Sequence, residues 1–400
     1  MVKFSCMNKI KNSLSPKSVA IAYALVSVIL FIYIFVRAVT VDFTHDESLS
    51  WQILQGDEIQ LITANNHWLN TALMYIFSSV AGYSEIVLRL PNVLAFAFYL
   101  LFIYKIYKHF SGYAPALLFA VPVLLLNPFL LDFFSLARGY GLAMAFFTGA
   151  IYYSMRFYLQ ENRLKYILLA CLISILTIYA NFSFLTAVFS VHIAAVILMF
   201  FRRDRIKTAF ICYVLEAAAL IPAALCILRL KETDALYFGG NEGVVRDTLR
   251  TVTISSLNAG HDFVQPVMIL CGILFLLMFF VRRKQGLLYL KILVPVTLIL
   301  PVICFYLLDM PFALNRAGLY WVVIMGLCIL VSLEKKGGSL YGKVLFYSQV
   351  SALVILSGLV SFNFIKCVNI SYATSGNLMR ATVRRLHELQ NRTLIKSPLL

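Results

Sequence analysis

The sequence predicts an all-α, multi-pass membrane protein, and three observations carry that reading. Of its 400 residues 61% are hydrophobic and only 13% charged. The apolar residues collect in continuous runs of roughly 20, the length an α-helix needs to cross about 30 Å of hydrocarbon. Lysines and arginines fall between alternate runs, as they do where short loops stay in the cytoplasm.

The runs lie near residues 19–41, 85–104, 113–131, 139–156, 166–182, 184–201, 208–229, 263–281, 287–308, 313–333 and 340–364, about eleven transmembrane helices in all. The first follows the basic segment MVKFSCMNKIKNSLSPK. It is longer than a signal-peptide core, and no small-residue cleavage site precedes VDFTHDE, so it reads as a retained helix. With the N-terminus cytoplasmic, the inner connections are KIYKHFSG, MRFYLQENRLK, FRRDRIK, VRRKQG and EKKGGSLYGK, each basic. The first outer loop, residues 42–66, has no lysine or arginine. The next segment, NNHWLNTALMYIFSSVAG at 65–82, is too short to span, and counting it as a crossing would invert every later loop against the charge rule. It is therefore expected to be an interfacial or re-entrant helix of that first outer loop. Residues 1–364 form the transmembrane domain on this reading, and 365–400, with Arg380, Arg384, Arg385, Arg392 and Lys396, a short extracytoplasmic tail.

Several function classes are excluded by what is missing. The eight cysteines are scattered singly and mostly inside apolar runs, with no CxxC pair or metal spacing. There is no GxxxxGK[ST] phosphate loop, GxSxG elbow or HExxH. A net charge of +16 would point to nucleic acid in a soluble chain. Here the basic residues are interleaved with the spans rather than gathered on one patch, and no nucleic-acid module is visible.

Polar residues able to do chemistry gather on the outer face. Asp46 and Glu47, in THDESLSWQ, lie about 100° apart on a helix starting near Thr44. Two readings are open: both carboxylates stabilise a helix N-terminus, or one is a general base at the membrane boundary. Arg138, in SLARGYGLA, and Arg316, in PFALNRAGLYW, stand at the outer ends of apolar helices. A boundary arginine is costly enough to be a functional candidate, with a salt bridge from Arg138 to Asp132 or simple anchoring as the plainer reading. Two such arginines on one face point to an anion. Arg89 has Glu85 four residues before it as a structural ion-pair partner. His67, beside Asn66 and Trp68, reads as an interfacial histidine, and Trp51, Trp68, Tyr75 and Tyr83 as an aromatic belt.

In order along the chain, the DE pair after the first span, NNHWLNTALMYIFSSVAGYSEIVLRLPN, LDFFSLARGYGLA and LNRAGLY resemble the GT-C superfamily of integral-membrane glycosyltransferases. The resemblance is to the branch related to protein O-mannosyltransferases, aminoarabinose transferases and lipid A core galacturonosyltransferases. It implies a GT-C-like fold and an inverting sugar transfer from a polyprenyl-phosphate donor on the extracytoplasmic face of a cell membrane. The acceptor would be a glycolipid, glycan or protein. By the same resemblance Asp46 matches the catalytic aspartate and Glu47 its acidic neighbour. Arg138, Tyr140 and Arg316 match the donor-phosphate site, and His67 falls near the acceptor contacts; Asn66, Arg89 and Asp132, read from their positions in this sequence, are expected to support acceptor or structure. Trp68 stands where relatives carry proline.

No cofactor is required by this reading, although an Asp-Glu pair is also able to hold a divalent ion. The competing readings are a polymerase of lipid-linked glycans, which would need a larger late outer loop, and a transporter or flippase. The latter would place charges at mid-bilayer in paired halves.

Overall fold

A computed structural model of the chain describes residues 16–56, 63, 66–111, 113–160, 163–199, 206–233, 239–257, 261–281, 285–333 and 340–371. The expected tail beyond 371 and parts of the basic connections lie outside the described residues. Each apolar run is helical. In chain order the helices are α1 (Pro16–Thr40), α2 (His45–Leu54), α3 (Trp68–Ala81), α4 (Glu85–Ile106), α5 (Ala114–Leu125), α6 (Pro128–Asp132), α7 (Tyr140–Met155) and α8 (Leu164–Ala180). They continue with α9 (Leu185–Met199), α10 (Ile206–Ala219), α11 (Ile221–Glu232), α12 (Arg250–Leu257), α13 (His261–Phe280), α14 (Gln285–Leu308), α15 (Tyr320–Ser332) and α16 (Leu340–Ser371). Among the described residues there is no strand, only an isolated bridge between Gly240 and Phe312.

Among the described residues seven helices are long and apolar enough to cross a membrane, or eight if the pair α10–α11, bent by 49°, counts as one. The other expected spans are helical but fall short of that test. The 113–131 run breaks at Asn127 and Pro128, where proline lacks the N–H that would continue the helix and the Asn127 side chain caps α6. Helix α8 has 17 residues, and α7 has 16 before it winds into a π-turn at Arg156–Gln160. The 65–82 segment forms the 14-residue α3, and α16 runs on to Ser371, past the expected end at 364.

Helices α7 and α15 are central. Every residue of α7 except Phe146 and Tyr153, and every residue of α15 except Met325, is buried. Helix α7 packs between α4 and α8, α15 lies on α5, α9 on α14, and α1 on α4. On α1, Leu30, Ile34 and Ala38 face inward while Ile21, Leu25, Val28, Ile29 and Ile32 form an exposed apolar stripe of the kind a bilayer covers. Between helices surrounded by hydrocarbon, apolar burial discriminates poorly, because lipid tails are as apolar as leucine; close approach at small residues and buried hydrogen bonds fix the packing instead. Gly149 illustrates the first device, since a Cβ there would lie 2.7 Å from the Phe102 ring. The Tyr23 hydroxyl on α1, donating to the Leu100 carbonyl of α4 at 2.7 Å, illustrates the second.

Candidate active site

The site is built from the first turn of α2. Thr44 and Glu47 form a reciprocal capping box: the Glu47 N–H donates to Thr44 Oγ1 at 3.3 Å, and the Thr44 N–H donates to Glu47 Oε2 at 2.9 Å. Trp51 and Leu54 then seat the helix on Met74, Leu88 and Ala137. These contacts fix the azimuth of the turn, so Asp46 and Glu47 leave it in different directions.

Glu47 turns inward and is fully buried, as is Arg89. Arg89 Nε donates to Glu47 Oε1 at 2.8 Å and Nη2 to Oε2 at 2.9 Å, a bidentate pair. The Ala137 N–H adds a third donor to Oε1 at 2.6 Å. Arg89 also donates to the Ala38, Val41 and Asp42 carbonyls at the end of α1. One ion pair thus ties α1, α2, α4 and the segment before α7. The expected partner of Arg89 was Glu85. That pair forms loosely, with the half-exposed Glu85 carboxylate 3.8 Å from Arg89 Nη1, while the closer, bidentate partner is the buried Glu47, 42 residues distant.

Asp46 turns towards the later arginines. Its Oδ2 accepts from Arg316 Nη1, Arg138 Nη2 lies 3.3 Å from the same oxygen, and Arg138 Nη1 donates to the Asp46 carbonyl at 3.0 Å. The Arg138 side chain is 2% exposed and that of Arg316 38%, so one arginine is a fixed wall and the other a solvent-reachable arm. Tyr140 is buried beneath them, with the Arg316 guanidinium 5.9 Å from its ring centre. His67 meets Tyr140 edge-on, with centroids 5.2 Å apart. It is buried, and its Nε2 has no partner. Burial, reinforced by the charges of Arg138 and Arg316, pushes the His67 pKa well below its ordinary 6.5. The imidazole is held neutral.

Glycines and amides position these groups. A Cβ at Gly139 would overlap the Ala180 carbonyl oxygen and lie 2.8 Å from His67 Cβ, so only glycine lets the Arg138 turn nest between α8 and His67. Gly141 is pinned by Phe133 O and Asn92 Oδ1, 2.6 and 2.8 Å from the position of its absent Cβ. Asn92 accepts from the Leu142 N–H and donates to Asn70 Oδ1 at 2.6 Å, and Asn70 donates to the Ala137 carbonyl. Arg316 follows Asn315, whose φ of 50° is unusual for a residue with a side chain. The Asn315 N–H donates to Thr251 Oγ1 at 2.7 Å and its Oδ1 accepts from Ser255. The 239–257 segment therefore aims Arg316. Asn70, Asn92, Thr251, Ser255 and Asn315 are not among the site residues expected from sequence; for Asn70 and Asn92 the available signal is an amide inside or beside an apolar run, whereas the half-buried hydroxyls Thr251 and Ser255 and the exposed Asn315 carry none.

Two further expected residues stand apart. Asp132 pairs with Arg37 at 2.7 Å, not with Arg138, and so joins α6 to α1. Asn66 accepts from the Thr71 hydroxyl and borders an open groove of about 650 Å³, lined also by Leu54, Trp68 and Tyr75. Asp46, Arg138 and Arg316 are not among its lining residues. Trp68, at the start of α3, stacks on Tyr179 and meets Phe182 edge-on.

The two adjacent carboxylates do not converge on a shared ion. Glu47 is committed to Arg89 and two backbone amides, and Asp46 faces two guanidinium groups. Among the described residues no group of three histidine, cysteine or acidic side chains has metal-binding geometry. What the arrangement offers is a partly buried carboxylate beside one buried and one solvent-reachable guanidinium, a set able to accept a proton and to hold an anion at one point.

No family model matches the chain, and no curated protein matches it significantly.

Proposed function

We propose that the chain is an integral-membrane glycosyltransferase of the GT-C kind, with about eleven spans, that moves a sugar from a polyprenyl-phosphate donor to a glycolipid, glycan or protein acceptor on the extracytoplasmic face. The observation that carries this reading is the meeting of Asp46 with Arg138 and Arg316, segments 92 and 270 residues away. In the absence of donor the arginines neutralise the carboxylate. A donor phosphate, offering more acceptor oxygens and more charge, takes the two guanidinium groups from Asp46 and leaves that oxygen unpaired and more basic. The acceptor O–H then gives its proton to Asp46 while its oxygen bonds to the anomeric carbon. The bond from that carbon to the phosphate oxygen breaks on the opposite face, and the electron pair leaves with the polyprenyl phosphate. Arg138 and Arg316 hold the charge that develops on it, which is where fixed donors contribute most. In-line displacement inverts the anomeric centre.

Glu47 in this reading is a positioning residue. It touches no reacting atom and holds the first turn of α2 so that Asp46 reaches the arginines.

The competing classes find less support. A transporter would carry its charges at mid-bilayer, whereas Asp46, Arg138 and Arg316 all lie at helix ends. The test compares glycolipids and glycoproteins by mass between cells carrying the wild-type chain and cells carrying Asp46→Asn at equal expression. A sugar-sized mass increment present only with wild type supports the proposal; identical profiles remove Asp46 from the mechanism.

A further inference from the structure

A second cluster lies at the opposite end of the bundle. Helix α7 begins at Tyr140 in the Asp46 site and ends at Met155, so its far end is ~24 Å away at a rise of 1.5 Å per residue. There Lys105 on α4, Arg156 after α7 and Lys165 on α8 alternate with tyrosine rings. Lys105 Nζ is 5.8 Å from the Tyr152 centroid, and the Arg156 guanidinium is 5.9 Å from Tyr152 and 4.9 Å from Tyr166. Lys165 Nζ is 4.9 Å from Tyr166. Arg156, buried, also donates to the Tyr152 hydroxyl at 3.1 Å and the Tyr166 hydroxyl at 2.9 Å, which locks the middle rung.

Three features turn this ladder into a recognition surface. First, no carboxylate among the described residues pairs with Lys105 or Lys165; their partners are ring faces, which attract a cation without neutralising it. In sequence, the two connections 105–112 and 156–165 carry Lys105, Lys108, Arg156, Arg163 and Lys165 against one acidic residue, Glu161. Second, both flanking helices end in π-turns, Tyr107–Ser111 and Arg156–Gln160, a local geometry that recurs at functional sites. Third, the cations continue directly into exposed apolar surface, with Phe98 and Leu101 on α4 and Leu164, Leu168 and Leu172 on α8. A ligand matching both parts carries a negative head and aliphatic tails.

We propose that the Lys105–Tyr152–Arg156–Tyr166–Lys165 ladder is a binding site for the headgroup of an anionic phospholipid whose acyl chains lie along α4 and α8. The positive charge meets the phosphodiester, and the tyrosine hydroxyls add hydrogen bonds at headgroup depth. The site is remote from Asp46 and does not depend on the glycosyltransferase reading.

The test is native mass spectrometry of the purified full chain titrated with phosphatidylglycerol or with phosphatidylcholine. Phosphatidylglycerol should bind at least tenfold more tightly. The double variant Lys105→Gln/Lys165→Gln should weaken it about 30-fold, from about 1 kcal/mol per basic residue near an anionic surface, with phosphatidylcholine binding unchanged. Lys207→Gln/Lys343→Gln, which removes two exposed lysines elsewhere, should leave phosphatidylglycerol binding within a few-fold of wild type. Equal losses in the two double variants would reduce the effect to bulk charge and overturn the proposal. Displacement of phosphatidylglycerol by equimolar inorganic phosphate would overturn it as well, since the ligand would then be a free anion.

Discussion

Replacing Glu47 by glutamine separates a structural carboxylate from a catalytic one. The wild-type side chain accepts two hydrogen bonds from Arg89, one from the Ala137 N–H and one from the Thr44 N–H, all within 2.6–2.9 Å. Glutamine keeps the shape but removes the charge, and its amide nitrogen turns a donor towards donors. Both partners are fully buried, so the Arg89 charge would be left without a counter-charge. Breaking a buried pair on one side costs about 3–5 kcal/mol. Arg89→Gln should cost a similar amount. The double variant should cost less than the two single changes added, because the second substitution removes the group the first left stranded. Reversible unfolding of the purified protein in mixed detergent micelles, run as a double-mutant cycle, measures all three. The reasoning is refuted if Glu47→Gln unfolds like wild type yet loses all transfer activity, since that pattern belongs to a residue acting on substrate.

Gly139→Ala should destabilise by about 1–3 kcal/mol through overpacking, since its Cβ would enter the Ala180 carbonyl oxygen; wild-type unfolding in this variant would show the turn to be loosely packed. His67 supplies a pH test. Its folded pKa is lowered, so below its ordinary 6.5 the unfolded chain binds a proton that the folded chain refuses. Its contribution to stability is therefore complete above pH 6.5 and declines as pH falls, by up to about 1.4 kcal/mol per unit. Unfolding between pH 7 and 5 should show that slope in wild type and a smaller one in His67→Gln; identical slopes would place the imidazole in water.

Helix existence was legible from the sequence because hydrocarbon imposes one length and one polarity on each crossing, so runs such as 19–41 and 287–308 return as α1 and α14. Breaks inside the runs were less so, although both stand at prolines: Pro128 opens α6, and Pro222 lies in the first turn of α11, just beyond the 49° bend. In the site, the Thr44–Glu47 capping box is a four-residue pattern and could be read directly, and the arginines were recognisable as polar groups at apolar helix ends. Partner choice was not. Local spacing offers Glu85 to Arg89, which the fold keeps as a loose second contact beside Glu47, and Asp132 to Arg138, where the fold instead gives Asp132 to Arg37 and Arg138 to Asp46. A short-range rule supplies weak, solvated pairs, and a buried contact between distant segments outcompetes them once water is excluded.

The proposed transfer requires that Arg138 and Arg316 gather a lipid-linked phosphate beside Asp46. Titrating the purified protein with a short-chain prenyl phosphate, followed by native mass spectrometry, tests it without knowledge of the sugar. Arg316→Ala should bind on the order of 10- to 100-fold more weakly, the worth of a hydrogen bond to a charged group, while Asp46→Asn binds at least as well as wild type. Unchanged affinity in Arg316→Ala and Arg138→Ala, in protein that remains folded, would contradict the account.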